Sequence, residues 1–268
     1  MRWILCALAL VCASPAWAEP RRIVSLDYCA DQFVLALADR EQIVALSRGS
    51  QRDDSYFRAR AHGIRQTRGT LEEVLALRPD LVVRNWGGPW DAEQVYARFG
   101  IPVLQVGDTP SFALAREDVV DAARVLGHID RGQDIARDLD LRLARLRANA
   151  PRERQAVMYL SSYGGVPGSG VLMDDVIAVA GGRNVRTDAS WTVLPLERMI
   201  TTPPALIALG FFDTGRSAVN AWSPAHHPAV QRALAEARTV DLPAPTISCE
   251  AWYAIDAAEA IAAALGGP

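Results

Sequence analysis

Histidine is scarce in this chain, and the few present lack a metal-binding spacing. His62, His128, His226 and His227 form no H-E-x-x-H pair, so two imidazoles do not share one helix face beside a general base. Nucleotide signatures are missing too: there is no P-loop and no G-x-G-x-x-G. No G-x-S-x-G occurs, and Gly168-Ser169-Gly170 lacks the strand-to-helix setting of a nucleophile elbow. The formal net charge of −3 gives no sign of the strongly basic face that binds nucleic acid. The acidic pairs Asp53-Asp54 and Asp174-Asp175 suit a solvated surface or a helix N-terminus better than acid–base work. These absences together point away from an enzyme and toward a protein that binds.

Long apolar runs are also missing beyond the first residues. Met1-Arg2 supplies positive charge, Trp3 to Ala13 is apolar, and Ala16-Trp17-Ala18 is an A-x-A cleavage site. That is the pattern of a signal peptide over residues 1–18, with the mature chain expected from Glu19. The apolar run is too short to span a bilayer. No lipoprotein-type sequence precedes Cys6 or Cys12, so the expectation is a soluble exported protein. Two cysteines remain, Cys29 and Cys249. An oxidising compartment favours a disulfide between them. The other reading is a pair of thiolates that touch a ligand or metal, or that work as the reactive groups of a cleft enzyme.

What is present is a repeat. TLEEVLALRPDLVV, residues 70–83, lines up with PLERMITTPPALIA, residues 195–208. Leu71-Glu72 matches Leu196-Glu197, Leu75 matches Ile200, Pro79 matches Pro204, and Leu81 matches Leu206, at a constant offset. Each copy reads as a short helix, stopped by proline, that feeds an apolar strand. Each half also opens on a strand, Arg22 to Leu26 and Ala156 to Leu160, followed by a helical pattern. Strands alternating with helices predict an α/β fold of two Rossmann-like lobes with covered parallel sheets. The expected boundaries are residues 19–110 and 151–268. Residues 111–150 join them as a helical spine, with Ser111 as N-cap and Gly127 as a stop. Ile135, Leu139, Leu143 and Leu146 mark the spine's apolar face.

Ligands of open α/β sheets sit beyond the carboxyl ends of the strands. Four such loops here deliver aromatics: Asp27-Tyr28-Cys29, then RNWGGPW (Arg84 to Trp90), then Tyr163-Gly164-Gly165. The fourth is the stretch after the Pro-rich run LPAPTIS, expected as a strand, which holds Cys249, Glu250, Trp252 and Tyr253. One tryptophan is ordinary core. Several at matching strand ends suit a large, flat, apolar ligand. Trp222 reads as packing.

At this point the chain resembles a family, the periplasmic substrate-binding proteins of metal-chelate ABC importers, of the cobalamin and ferric-siderophore type. The resemblance rests on RRIVSLDYCADQFVLALADREQIVALS, GTLEEVLALRPDLVVRNWGG, FGIPVLQV, GVLMDDVIAVAGGRNV and WTVLPLERMI. It implies a class III periplasmic binding protein: two lobes joined by a single long rigid helix, with a ligand clamped between them. It places Trp86 against the ligand and Trp252 near a second such position, and it sets Tyr28, Tyr56, Tyr163 and Trp191 in cleft-lining segments. Cys29, Arg84, Trp90 and Glu250 complete the expected ligand wall. It further implies a monomer that docks acidic residues onto an inner-membrane permease, here Asp91 or Glu93 on the first lobe and Glu250 on the second. No resident metal or cofactor is implied, since the metal arrives inside the chelate. The loop after Trp86 departs from the family by being shorter and adding Pro89-Trp90. Haem or free-metal binding on the same fold stays open: Tyr28, Tyr163 and Tyr253 are candidate haem ligands. Arg48, Arg52, Arg58 and Arg84 are the candidates for an anionic ferric catecholate.

Overall fold

A computed structural model describes residues 19–189, 191–193, 201–212 and 227–266. The expected signal peptide, Trp222, His226 and the helical half of the second repeat copy (Leu196, Glu197, Ile200) lie outside the described residues.

The first sheet has five parallel strands: β1 (Ile23–Ser25), β2 (Ile43–Ser47), β3 (Gln66–Thr67), β4 (Leu81–Arg84) and β5 (Val103–Gln105). Their order is β3-β2-β1-β4-β5. The chain thus runs outward from β1 on one side and restarts beside it with β4. That reversal opens a crevice at the carboxyl ends of β1 and β4. The second sheet is also parallel, in the order β11-β10-β6-β8. It contains β6 (Gln155–Ser161), β8 (Gly182–Asn184), β10 (Leu206–Gly210) and β11 (Thr239–Leu242). Its own reversal lies between β6 and β10. A short antiparallel ribbon, β7 (Gly165–Pro167) with β9 (Trp191–Val193), stands beside it. Leu81 and Leu206, matched in the repeat, each begin the strand laid against the first strand of their own sheet.

Alternation along the strands decides what each sheet face covers. Ile23, Val83, Val157 and Tyr159 point into one continuous core that also takes Phe33, Val119, Leu139, Val176 and Ile255. Val24 and Val82 point the other way, into a smaller cluster with Val74 and Tyr96 of helices α2 (Leu71–Ala76) and α3 (Ala92–Ala97). Met158, Leu160 and Ile207 do the same on the second sheet, against Val230 and Leu234. The two lobes therefore share the largest core, and each keeps a smaller one on the other face of its sheet.

The helical connection differs from the single long helix expected. It is two helices, α4 (Phe112–Val125) and α5 (Ile129–Ala148). Ser111 caps α4 through its side chain, which accepts from Leu114 N. Gly127 ends it at φ +87, a conformation in which a Cβ is strained. The chain then turns back. Gly132 of α5 lies so close to α4 that a Cβ there would collide with Ala123 Cβ, while farther along Arg116 pairs with Asp140 at 2.8 Å. As α5 advances its partners on α4 recede, so the connection is an antiparallel hairpin.

The remaining described α-helices are α1 (Tyr28–Leu37), α6 (Leu172–Val179), α7 (Pro228–Glu236), α8 (Ala244–Ile247) and α9 (Ile255–Ala264). LPAPTIS is not a strand: β11 ends at Leu242, and Pro243 leads into the single helical turn α8. Proline has no N–H to give a sheet ladder, but it is well placed at the start of a helix. His227 caps α7, accepting from Ala229 N through its ring. Among the described residues no helix is long and apolar enough to cross a membrane.

Candidate functional site

The crevice at the end of β1 is organised by Asp27, which is 1% exposed. Its Oδ1 accepts from Cys29 N and Ala30 N, at 3.1 and 2.9 Å, and so caps α1. Its Oδ2 accepts from Asn85 N, Trp86 N and Gly87 N, at 2.8, 3.1 and 2.8 Å. A buried carboxylate needs such partners, and here they are five backbone donors. Gly87 must be glycine, because a Cβ would stand 2.6 Å from Leu26 O. Asn85 fixes the same loop from its other side through Val106 O at 2.6 Å. Arg84 braces it from behind, donating to Pro89 O at 2.9 Å.

This loop and the first turn of α1 form one wall of a cavity of about 360 Å³. Tyr28 and Trp86 meet there edge to face, with ring centroids 6.0 Å apart. The opposite wall repeats the motif. Tyr159 of β6 and Trp191 of β9 meet edge to face at 5.8 Å, above Leu172, Met173 and Val176 of α6. Both indoles keep a free face: Trp86 is 59% exposed and Trp191 48%. The floor is the segment from Ile247 to Glu250. Three successive floor residues are tied to the first lobe. Tyr28 Oη donates to Ser248 O at 3.3 Å, Cys29 and Cys249 are disulfide-bonded, and Thr109 Oγ1 donates to Glu250 O at 3.2 Å. Both cysteines line the cavity as the disulfide expected from the sequence.

Asp108 and Glu250 also face the cavity. Burial, then the negative charge of Asp108, pushes the Glu250 carboxyl above the usual carboxylate range. Among the described residues no group of three or more His, Cys, Asp and Glu side chains is placed to hold a metal ion.

The expected site residues thus divide. Tyr28, Cys29, Trp86, Trp191, Glu250 and Cys249 are brought together on the cavity. Arg84, Tyr56, Tyr163, Trp90 and Trp252 are not. Trp252 is only 7% exposed and packs edge to face on Phe33 at 4.9 Å. Tyr56 stacks on Tyr253 at 4.4 Å and donates to Asp256 Oδ2 at 2.7 Å. Asp256 and Glu259 of α9 in turn hold Arg142 of α5, at 2.5 and 2.6 Å. This chain of contacts joins the first lobe, the hairpin and the C-terminal helix. Trp90 is 91% exposed beyond the rim. Asp91 is the N-cap residue of α3, and Glu93 lies exposed in its first turn. Tyr159, Asn85, Asp108 and Phe211 line the cavity without having been singled out in the sequence. Only Asn85, inside RNWGGPW, carried a local signal.

Comparison with known proteins agrees with this architecture. The family model described as "Periplasmic binding protein" matches residues 23–218. The vitamin B12-binding protein of Pectobacterium carotovorum is 24% identical over 242 residues, covering 84% of each chain. The cobalamin-binding protein of Halobacterium salinarum is 25% identical over 205 residues, covering 72% of this chain and 54% of its own. Among solved structures, the periplasmic haem-binding protein HutB of Vibrio cholerae superposes with a TM-score of 0.72 at 21% identity, covering 91% of this chain and 98% of that one. The periplasmic vitamin B12-binding protein BtuF of Vibrio cholerae gives 0.69 at 20% identity, covering 92% and 97%. With its two parallel sheets, its interlobe cavity and a family match over most of its length, the chain belongs to the periplasmic binding protein family.

Proposed function

We propose that this protein captures a metal chelate in its interlobe cavity, in the periplasm, and delivers it to the permease of an ABC importer. The observation that carries the reading is the pair of facing Tyr–Trp contacts, Tyr28–Trp86 and Tyr159–Trp191, one on each wall. Half-exposed indoles on opposite walls suit a broad, partly apolar ligand that gains affinity by contact area. Because the two lobes share a core, the walls are held before the ligand arrives, which spares part of the ordering cost of binding.

The charges favour one class of chelate. Asp108 and Glu250 face the ligand space, and two carboxylates there oppose a ligand of net negative charge. A neutral or cationic corrinoid-like chelate fits better than a haem with its two propionates or a ferric catecholate. Relatives that bind vitamin B12 and structural neighbours that bind haem are both compatible with the fold. The disulfide counts against the thiol reading, since the Cys29 and Cys249 sulfurs are bonded to each other.

Tryptophan fluorescence tests the proposal, with cyanocobalamin, haemin and ferric siderophores titrated into the purified protein. Saturable quenching by cyanocobalamin, weakened about tenfold or more by Trp86→Ala, is the expected result. Full affinity in the Trp86→Ala protein would remove the indole from the site, and no quenching by any of the probes would refute chelate capture.

A further inference from the structure

The two faces of the first-lobe wall are set by one atom group. Tyr28 and Cys29 open α1, Trp86 stands on the β4–α3 loop, and nothing in the sequence joins the two. Asp27 does so in space. One of its oxygens holds the N–H groups of Cys29 and Ala30, and the other holds those of Asn85, Trp86 and Gly87. The carboxylate is buried, and it lies between the indole-bearing loop and the turn that carries the disulfide to the floor.

We propose that Asp27 is the positioning residue of the ligand cavity: its two oxygens lock the turn bearing Tyr28 and Cys29 to the loop bearing Trp86, and so hold the aromatic wall in its binding geometry. The proposal rests on the cavity being the ligand site, but its first test does not. Asp27 touches no ligand on this reading; it acts through Trp86 and Tyr28. A carboxylate is required because all five of its partners are donors. An amide would turn its own N–H₂ toward two of them or three, leaving those contacts repulsive and the donors unpaired.

One variant separates the two oxygens. Asp27→Ser keeps an oxygen able to cap α1 but is too short to reach the Trp86 loop as well. The apo readout is ¹⁹F NMR of protein carrying 5-fluorotryptophan, with the Trp86 resonance identified by its loss in Trp86→Phe and buried Trp252 as an internal control. In Asp27→Ser the Trp86 resonance is expected to shift and broaden while the Trp252 resonance stays in place. An unchanged Trp86 resonance would overturn the proposal whatever the ligand is. Movement of both resonances would reduce Asp27 to a general structural role, which also overturns it.

The second readout is a double-mutant cycle with cyanocobalamin as the probe. Asp27→Ser is expected to weaken binding about tenfold in the unmutated background and markedly less in Trp86→Ala, because the indole it positions is already gone. Equal losses in both backgrounds would show that Asp27 does not act through Trp86. If the unmutated protein binds no chelate, the proposed function fails, and the fluorine experiment still decides the role of Asp27.

Discussion

A buried acid one helical turn beyond the cavity wall gives the sharpest stability test. Asp31 of α1 is fully buried, and its carboxyl meets β2, accepting from Ser47 N at 3.0 Å and from Ser47 Oγ at 2.6 Å. Burial raises its pKa from 3.8 to about 7; the Ser47 and Ser25 hydrogen bonds pull it down, and the charge of Asp27 adds a little upward push. The folded protein therefore holds this proton more tightly than the unfolded chain does. Between about pH 4 and pH 7 the folded state carries the extra proton, so stability falls as pH rises through that window and levels off above it. Ionising a carboxyl that titrates at about 7 in the fold and at 3.8 outside it costs the folded state about 4 kcal/mol at pH 8. Asp31→Asn removes the charge and keeps the shape. Its carbonyl still accepts the Ser47 N–H, and its amide donates to Ser47 Oγ. The variant should match the unmutated protein near pH 4 and exceed it by roughly 2–4 kcal/mol at pH 8. Urea unfolding across this range, with the disulfide intact, measures the difference directly. Asp118, pushed to about 6 by burial, tilts both proteins alike and cancels in the comparison. Parallel pH profiles of the two proteins would show that Asp31 does not carry a displaced proton equilibrium.

The disulfide joins residues 220 apart in sequence, so reducing it, or replacing both cysteines by serine, should cost up to about 5 kcal/mol in the chain-entropy model; an unchanged Tm would mean that the shared core alone fixes the floor. Gly87→Ala should weaken cyanocobalamin binding by displacing the Trp86 loop from Leu26 O, and titration by fluorescence reads it; full affinity would mean that the loop relaxes without moving its indole. Asp108→Asn with Glu250→Gln should narrow the difference in affinity between haemin and its dimethyl ester, whose propionates carry no charge, by about tenfold if each carboxylate opposes a propionate at short range. Because the Glu250 pKa is raised, part of this narrowing should appear in the unmutated protein, beyond any seen in Glu250→Gln alone, as pH is lowered and that carboxyl takes up its proton. A ratio insensitive to both changes would remove the carboxylates from the ligand's surroundings.

The elements were legible where the signal was local. Ser111 as N-cap and Gly127 as terminator mark α4, and proline after a short helix marks the approach to β4, because caps and breakers act over a few residues. The cysteine pair was legible from two cysteines left in a chain expected to be exported. The hairpin was not. Periodicity fixes which face of α5 is apolar but not the angle at which it leaves α4; Gly127 marks only where α4 stops, and Gly132, a helical glycine that lets two backbones approach, is the trace of their packing. LPAPTIS misled because its apolar residues fit a strand, whereas its prolines favour the helical turn that forms.

The site was legible only by element, and the reason is geometric. A strand-end loop delivers an aromatic to the cleft edge, but its side-chain direction is set by the turn that carries it. Trp86 sits on a loop pinned by Asp27 and faces the cavity. Trp252 sits on a 3₁₀ turn, Trp252–Ala254, and its indole swings onto Phe33 instead. Tyr159 was hidden for the opposite reason: it lies within a buried strand, where a tyrosine reads as core, yet the inner face of β6 looks across to the other lobe. Asp27 was the least legible of all. Three of its five partners lie 58 to 60 residues away, so nothing near it in the sequence distinguishes this carboxylate from any helix cap. Residues that touch a ligand belong to strand ends and can be guessed from topology. Those that hold them in place belong to contacts between loops, and these exist only once the chain is folded.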